Sequence, residues 1–533
     1  MNMRLNFAML MLVFSVCCVA CGGDVITVKY DGSSAAVSGK EMDSVKVKTD
    51  GARVVVESEV ESRELTFRLV GATEDGQFVL KSKGKAKVEL DGVSLQSKEG
   101  APLYLKTKKK VDVEALKGTE NVLSITACKD TANEKAAVIY AKGKLHLMGE
   151  GKLVCLATGD GCRGVQAKKD ITIKDLTLDV KTMGNNLGAI APQGGFGGFG
   201  PGGPDFNMDD MPEDVKKHIE EMKKMFENGD FPMGPPPPGM GGGPGFGPGG
   251  PDGHGFGPGD PGFGMGMMIA GPPEGEGPED LFPEEEEEGM MGFGPMKRKY
   301  AGTCKGIKSN GKVTINSGCV RVYTASRGAE GIEGKEGVVI NGGTVDVNSM
   351  DDAINTDGAV YFNGGKTVAL SRGNDAVDAN PEGGFFPPFF GGEGGEQKEQ
   401  EPLIFINGGE VYAYSWVGAP EEGLDCDFNP ISVSGGTAFS IGAGMGEMPS
   451  VPTQKTATQP TVLLVGLNLV KGKPVVLKDA KGKVLMQTDA PFSFNNSSSL
   501  LTSPELKLGE KYVIESNGVK KGFEVKEKFS VIR

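Results

Sequence analysis

The chain has 533 residues, with 57 Lys and Arg against 71 Asp and Glu, three His and a formal net charge of −14. Its length allows one large core or two to three units, and its acidic balance excludes the basic surface that nucleic acid requires. With three His, and no CxxC pair among the six Cys that remain once Cys17, Cys18 and Cys21 near the N-terminus are set aside, a zinc site has no support.

The N-terminal stretch "MNMRLNFAMLMLVFSVCCVAC" carries Arg4, an apolar run from about Leu5 to Val16 and small residues before Cys21. The run is too short to span a membrane and reads as an export signal over residues 1–21. Ala20 before Cys21 has the form of a bacterial lipobox, although Cys18 stands where Leu is usual. The expectation is lipidation at Cys21, giving an exported outer-membrane or cell-surface lipoprotein that meets the membrane only through its anchor. The alternative is an ordinary signal and a secreted or periplasmic protein.

From Val25 to about Leu80 the chain is β-rich without clear register, which suits an N-terminal cap over residues 22–80. Two looser repeats follow, "KAKVELDGVSLQSKEGAPLYLKTKKKVDVEALKGTENVLSIT" and "KAAVIYAKGKLHLMGEGKLVCLAT". Six lines then align on one aliphatic residue after Gly or Ala: Val165, Ile307, Ile332, Ile354, Val377 and Leu424. Each holds three short apolar runs, the last two separated by a tight turn such as "NGG". The step from Ile332 to Ile354 is 22 residues and from Ile354 to Val377 is 23. Such runs with period-two alternation are strands, and no helical crossover lies between them. Three short strands per turn of chain predict an all-β fold, a right-handed parallel β-helix in which each coil pairs with the next.

About 194–297 the solenoid is interrupted by a Gly/Pro/Met-rich insertion, which from Gly194 to Pro295 holds some twenty acidic residues against four lysines. Its runs such as "PPPPGMGGGPGFGPGG" cannot bury enough surface to fold, and disorder is expected. Val215, Ile219, Met222 and Phe226 would share one face of a short helix there, either a solvated helix or a contact for a protein partner. The expected parts are therefore 81–193 and 298–450 for the two stretches of β-helix, with a small antiparallel β unit at 451–533.

Equivalent residues of neighbouring coils stack about 4.8 Å apart. Two positions before the anchor the column reads Arg163, Lys305, Glu330, Asp352, Asp375, Glu422, and one position after it reads Gln166, Lys308, Glu333, Asn355, Asp378, Asp425. Lys305 and Glu330 make a comfortable pair, whereas Asp352 over Asp375 repel or raise each other's pKa. Asp351, Asp357 and Asp427 add to the crowding. A hard divalent cation between coils removes the repulsion, and calcium suits oxygen ligands in flexible geometry best. The other reading is a solvated acidic face.

In "EVYAYSW", Val411 and Ala413 should face inward and Tyr412, Tyr414 and Trp416 outward, with Tyr323 in the Tyr414 column. These rings either grip sugar or support a neighbouring segment. Cys162 and Cys304 share a column and come within disulfide reach if the insertion is looped out, so they form a disulfide or remain buried thiols.

The "LDGVSLQSKEGAPLYLKTKKKVDV…GTENVL" stretch, the "VTINGGTVxVxS"-type coils with "DDAI" and "NDAV", and the late "LTSPELKLGEKYVI" resemble a family of bacterial carbohydrate-binding β-helix proteins. These are the calcium-binding, cellulose- and polygalacturonate-binding proteins first associated with a thermophilic clostridium. The resemblance covers nearly all of the chain outside the signal and the insertion. It implies polysaccharide binding, with calcium held by Asp-rich coil turns. Asp351, Asp352, Asp375 and Asp378 match the acidic motif best, and Glu330, Glu333, Glu422 and Asp425 match with Glu replacing Asp in part. Arg163 and Lys305 depart from it.

The leading expectation is a noncatalytic binder of acidic or β-linked polysaccharide. A pectate-lyase-like enzyme is the runner-up, since such an enzyme needs a base beside calcium and Arg327 and Arg372 lie near the acidic coils. A hydrolase would need a positioned carboxylate pair, and the acidic stacking is better explained by metal. An adhesin with calcium as a structural staple is the third.

Overall fold

A computed structural model describes residues 25–128, 136–184, 303–381, 400–417, 421–427, 429–442 and 450–533. The export signal with Cys21 and the insertion at 194–297 lie outside the described residues. The described residues are all-β, with no α-helix and no helix long and apolar enough to cross a membrane.

The repeat is plainest between Ile332 and Ser371. One turn of chain contributes Ile332–Gly334, Gly337–Ile340 and Thr344–Ser349, and the next contributes Ile354–Thr356, Val360–Phe362 and Lys366–Ser371. Each strand is parallel to its equivalent, with Ile332 opposite Ile354, Val338 opposite Val360 and Val345 opposite Thr367. The first strand of each turn builds a 10-stranded sheet, and the other two build a 24-stranded sheet. The anchors Val165, Ile307, Ile332, Ile354 and Val377 face one another in succession across the former.

Period-two alternation sends every second side chain between the two sheets. Ile332, Val338, Ile340, Val345 and Val347 are fully buried there, and the same positions of every turn join one apolar core. Gly at the second position of the "GG" turns lets the chain bend: Gly365 has φ +76°, and a Cβ there would lie 2.3 Å from the Gly343 carbonyl oxygen.

Two boundaries differ from the sequence expectation. Val25–Asp31 already pairs in parallel with Leu65–Thr73, and Arg53–Ser58 with Gln77–Ser82, so the stacking begins near residue 25. Antiparallel partners, Ser34–Ser38 and Lys46–Asp50, close hairpins onto these first strands, and the longer strands hide the 22-residue rhythm. At the other end Pro452–Ala457 pairs in parallel with Ile431–Val433, so the stack runs past residue 450.

Beyond it, Thr461–Leu469 pairs antiparallel with Phe494–Thr502, which also lies antiparallel to Thr437–Ile441. Four antiparallel strands between Pro474 and Glu524 form a separate sheet. Val475, Leu477, Phe492 and Ile514 of this region pack with Tyr412, Tyr414, Phe439 and Ile441 into a second apolar core.

Candidate metal centre and glycan surface

The acidic column changes character along the stack. At its upstream end Lys305 places its ammonium 2.8 Å from Glu330 and 2.7 Å from Glu333. Lys308 lies 3.5 Å from Glu333, and Lys335 lies 3.4 Å from Glu333 and 3.0 Å from Asp357. Burial pushes the Glu333 carboxyl up, but the three lysines outweigh it and hold it at about 2. Glu330, Glu333 and Asp357 therefore carry ammonium partners, which sets them apart from the acids downstream.

Among the described residues, no ammonium makes an ion pair with Asp352, Asp375 or Asp378 downstream. Asp352, Asp375 and Asp378 each offer a carboxylate oxygen, and the three oxygens lie within 4.8 Å of one another. The strand Ile354–Thr356 follows Asp352, and Val377–Ala379 carries Asp378, while the paired Ile354 and Val377 fix the register. Ala353 and Ala376, fully buried, leave room for the close approach. One amide holds the group together: Asn355 Nδ2 donates to Asp352 Oδ2 at 2.8 Å and to Asp378 Oδ2 at 3.3 Å. The Asp375 N–H donates to Asp352 Oδ1 at 3.2 Å, and the Glu422 N–H donates to Asp375 Oδ1.

Burial and neighbouring carboxylates raise the whole group. Asp352 and Asp375 are raised well above the ordinary carboxylate range, Asp378 to about 8 and Asp351 to about 6. Burial is the first cause in each, and the charges of Asp351, Asp352, Asp425 or Glu330 add to it. Asp378 Oδ1 and Asn380 Oδ1 are buried without a hydrogen-bond partner. Hard oxygens, excess negative charge and the orphaned Asp378 acceptor are a donor set that a calcium-like cation can take.

The last turn is partly satisfied by its own chain. Asp378 is bridged in parallel to Asp425. Asp425 accepts from the Asp427 N–H at 2.9 Å and from Ser450 Oγ at 3.2 Å, and Glu422 accepts from the Ser450 N–H at 2.8 Å. Asp427 takes φ +50°, and burial raises its carboxyl.

The aromatic residues expected to face sugar are placed otherwise. Tyr412 and Tyr414 point away from the coil core, as period two requires, but they are 5% and 3% exposed. The C-terminal strands cover them: the Tyr414 hydroxyl meets Thr488 Oγ1 at 2.8 Å, and Trp416 stacks on Phe492 at 6.1 Å between centroids. These rings form a packing seam, which corrects the expectation of an open platform. Tyr323 is half-buried under the Arg372 guanidinium, 4.8 Å from its ring centre. Cys162 and Cys304 are buried free thiols, so of the two readings the structure takes the second. Burial pushes the Cys162 thiol up to about 12, which suppresses the thiolate that disulfide chemistry needs.

Sequence reasoning missed another aromatic pair. Tyr361 and Phe405, opposite each other in parallel strands, stack with centroids 4.6 Å apart and planes 9° apart, and both are half-buried. Beside them runs a ladder of side-chain amides. Asn341 donates to Asn316 at 2.8 Å, Asn363 to Asn341 at 2.8 Å and Asn407 to Asn363 at 2.9 Å, and Ser434 donates to Asn407 at 2.8 Å. The signal was present in "VYFNGG" and "IFINGG", where an aromatic precedes the turn Asn by two positions.

Comparison with known proteins agrees with the resemblance drawn from the coil motifs. A family model described as "Carbohydrate-binding domain-containing protein" matches residues 50–190 and 298–376. A carbohydrate-binding domain-containing protein of Acetivibrio thermocellus is 27% identical over 171 residues, which is 30% of this chain and 59% of that relative. The match thus spans less than two thirds of the relative's length. A polysaccharide lyase-like protein from C. thermocellum, solved as a gadolinium derivative, aligns over 80% of this chain and 99% of its own with 13% identity. Its TM-score is 0.31, too low to bear on fold or activity. The chain is thus similar, over residues 50–190 and 298–376, to the family described as carbohydrate-binding domain-containing proteins.

Proposed function

We propose that the chain is a noncatalytic polysaccharide-binding protein, wound as a right-handed parallel β-helix and stapled by calcium between its acidic turns. The observation that carries the calcium reading is the set of three carboxylates from two successive turns, with oxygens within 4.8 Å of one another, one of which, Asp378, has a buried oxygen with no hydrogen-bond partner. Asp352, Asp375 and Asp378 would hold the ion, with the neighbouring Asp351 as a further donor. Bound calcium supplies the positive charge that this end of the column lacks. Asn355 fixes the spacing of two of the carboxylates, and the small Ala353 and Ala376 let the turns approach. The similarity to the carbohydrate-binding family model over residues 50–190 and 298–376 supports a carbohydrate partner.

Arg372 supports binding over elimination. Its guanidinium donates to the Ser349 carbonyl at 3.1 Å and to the Thr324 carbonyl, and it covers the Tyr323 ring. It braces neighbouring turns and is not presented as a base to a sugar C–H. Export and a lipid on Cys21 complete the proposal and rest on the N-terminal sequence.

Affinity electrophoresis of the full mature chain against a polysaccharide panel, with calcium and with chelator, tests the reading, and ultraviolet absorbance monitors unsaturated products. Calcium-dependent retardation without product release is the expected result. Product release would replace binding with lyase activity. No retardation on any glycan, with melting still lowered by chelator, would leave calcium as a staple in an adhesin.

A further inference from the structure

The half-buried Tyr361–Phe405 stack, which keeps part of both rings accessible, lies beside the amide ladder, whose rungs follow the turn spacing of about 4.8 Å. Asn363 follows Tyr361 by two positions and Asn407 follows Phe405 by two, so each pair points to the same outer side. The intervening Phe362 and Ile406 are 1% and 0% exposed and fasten the strip to the core from beneath. From these observations we infer that Tyr361, Phe405, Asn341, Asn363 and Asn407 form a contact strip for an uncharged polysaccharide chain lying along the stack. The inference rests on the carbohydrate-binding reading and deepens it by naming the surface and the ligand's charge.

The chemistry of the strip is complementary to a sugar. An amide carries two N–H donors and two acceptor lone pairs. The ladder uses one donor and one lone pair of Asn341 and of Asn363. One donor and one acceptor remain on each of these exposed amides, the pattern that a pair of sugar hydroxyls satisfies. The ring column offers apolar surface next to them, on which the C–H face of a pyranose can pack. Below the rings, Ser432 occupies the position after Phe405, so the far face of Phe405 looks onto a small side chain. None of these positions carries a formal charge. A polyuronate would find no cation on the strip to meet its carboxylates, whereas a neutral chain leaves no charge unpaired.

The acidic turns and this strip lie on different strands of the repeat, so their contributions can be separated. The full chain would be run in affinity electrophoresis against a soluble neutral β-glucan and, in parallel, a soluble polyuronate, with melting recorded for every variant. Tyr361→Leu with Phe405→Leu removes the rings and keeps apolar bulk, and Asn363→Ala with Asn407→Ala removes hydroxyl partners at exposed positions. The expected result is at least a tenfold loss of neutral-glucan affinity in both double variants, with the chelator-induced drop in melting temperature unchanged. Unaltered retardation of both variants at unaltered melting, with the parent chain still retarded, would overturn the strip and leave the carbohydrate reading standing. Retardation of the parent by polyuronate alone would also overturn it. Absence of retardation of the parent on every glycan would overturn both.

Discussion

Lys305 sits 2.7 Å from Glu333 and 2.8 Å from Glu330, an ammonium built into the column upstream of the clustered carboxylates of Asp352, Asp375 and Asp378. Its side chain is 11% exposed and that of Glu333 is 1% exposed. One stack of acidic turns is thus neutralised in two ways, by a covalently supplied cation at one end and, in the present proposal, by a diffusible one at the other.

Removing the built-in cation should be costly. Lys305→Met leaves Glu330 and Glu333 buried without their shared partner, and breaking a buried pair from one side typically costs about 3–5 kcal/mol. Lys308 and Lys335 remain near Glu333, so the lower part of that range is expected. Chemical denaturation monitored by far-ultraviolet circular dichroism measures it, and a loss below about 1 kcal/mol would show that the pair is dispensable.

Neutralising an acid downstream should do the opposite when calcium is absent. Asp378→Asn keeps the shape and relieves repulsion with Asp425, so the chelated protein should gain on the order of 1–2 kcal/mol. The same variant should lose most of the melting increase on calcium addition. A destabilised Asp378→Asn protein in chelator, as for an ordinary hydrogen-bonded aspartate, would argue against the repulsive cluster.

The pH dependence follows with a definite sign. Asp378 is raised to about 8 and Asp351 to about 6, so the folded metal-free protein binds more protons than the unfolded chain above the ordinary carboxylate pKa of about 4. The contribution of these groups is fully present below about pH 4 and is lost as pH rises towards about 8. Metal binding displaces the protons, so the melting increase produced by calcium should grow between about pH 5 and pH 8. Melting curves in chelator and in calcium across that range test both statements, and a calcium effect that shrinks with rising pH contradicts the account.

The aromatic seam makes a contrasting prediction. Tyr414→Ala removes a ring packed against Phe492 and a hydroxyl bonded to Thr488 Oγ1, and the expected cost is about 3–5 kcal/mol of stability in the C-terminal region. Tyr414→Phe loses only the hydrogen bond, about 1 kcal/mol. Glycan affinity of the Tyr414→Phe protein should equal that of the parent in affinity electrophoresis. A selective loss of affinity would return Tyr414 to the sugar site.

Much of the repeat was legible because its constraint is local. A buried aliphatic residue after Gly or Ala, with "NGG" a fixed distance on, specifies both a core position and a bend, and the anchors from Val165 to Val377 fell opposite one another as the alignment required. The acidic columns followed from that register alone. What covers an outward residue is not local. Alternation gave the direction of Tyr414, but Thr488 and Phe492, some 75 residues downstream, decided that it is buried. The Tyr361–Phe405 pair escaped for a related reason: residues 380–403 separate their turns, breaking the 22-residue rhythm that made the other columns visible.

The most direct test of the central claim is calorimetric titration of calcium into the chelator-stripped full chain, beside the Asp352→Asn/Asp378→Asn double variant. The account predicts saturable binding to the parent with proton release at pH 7, and loss of that binding in the variant while its fold persists by circular dichroism. Binding of equal affinity and stoichiometry in both proteins, or none in the parent, would contradict it.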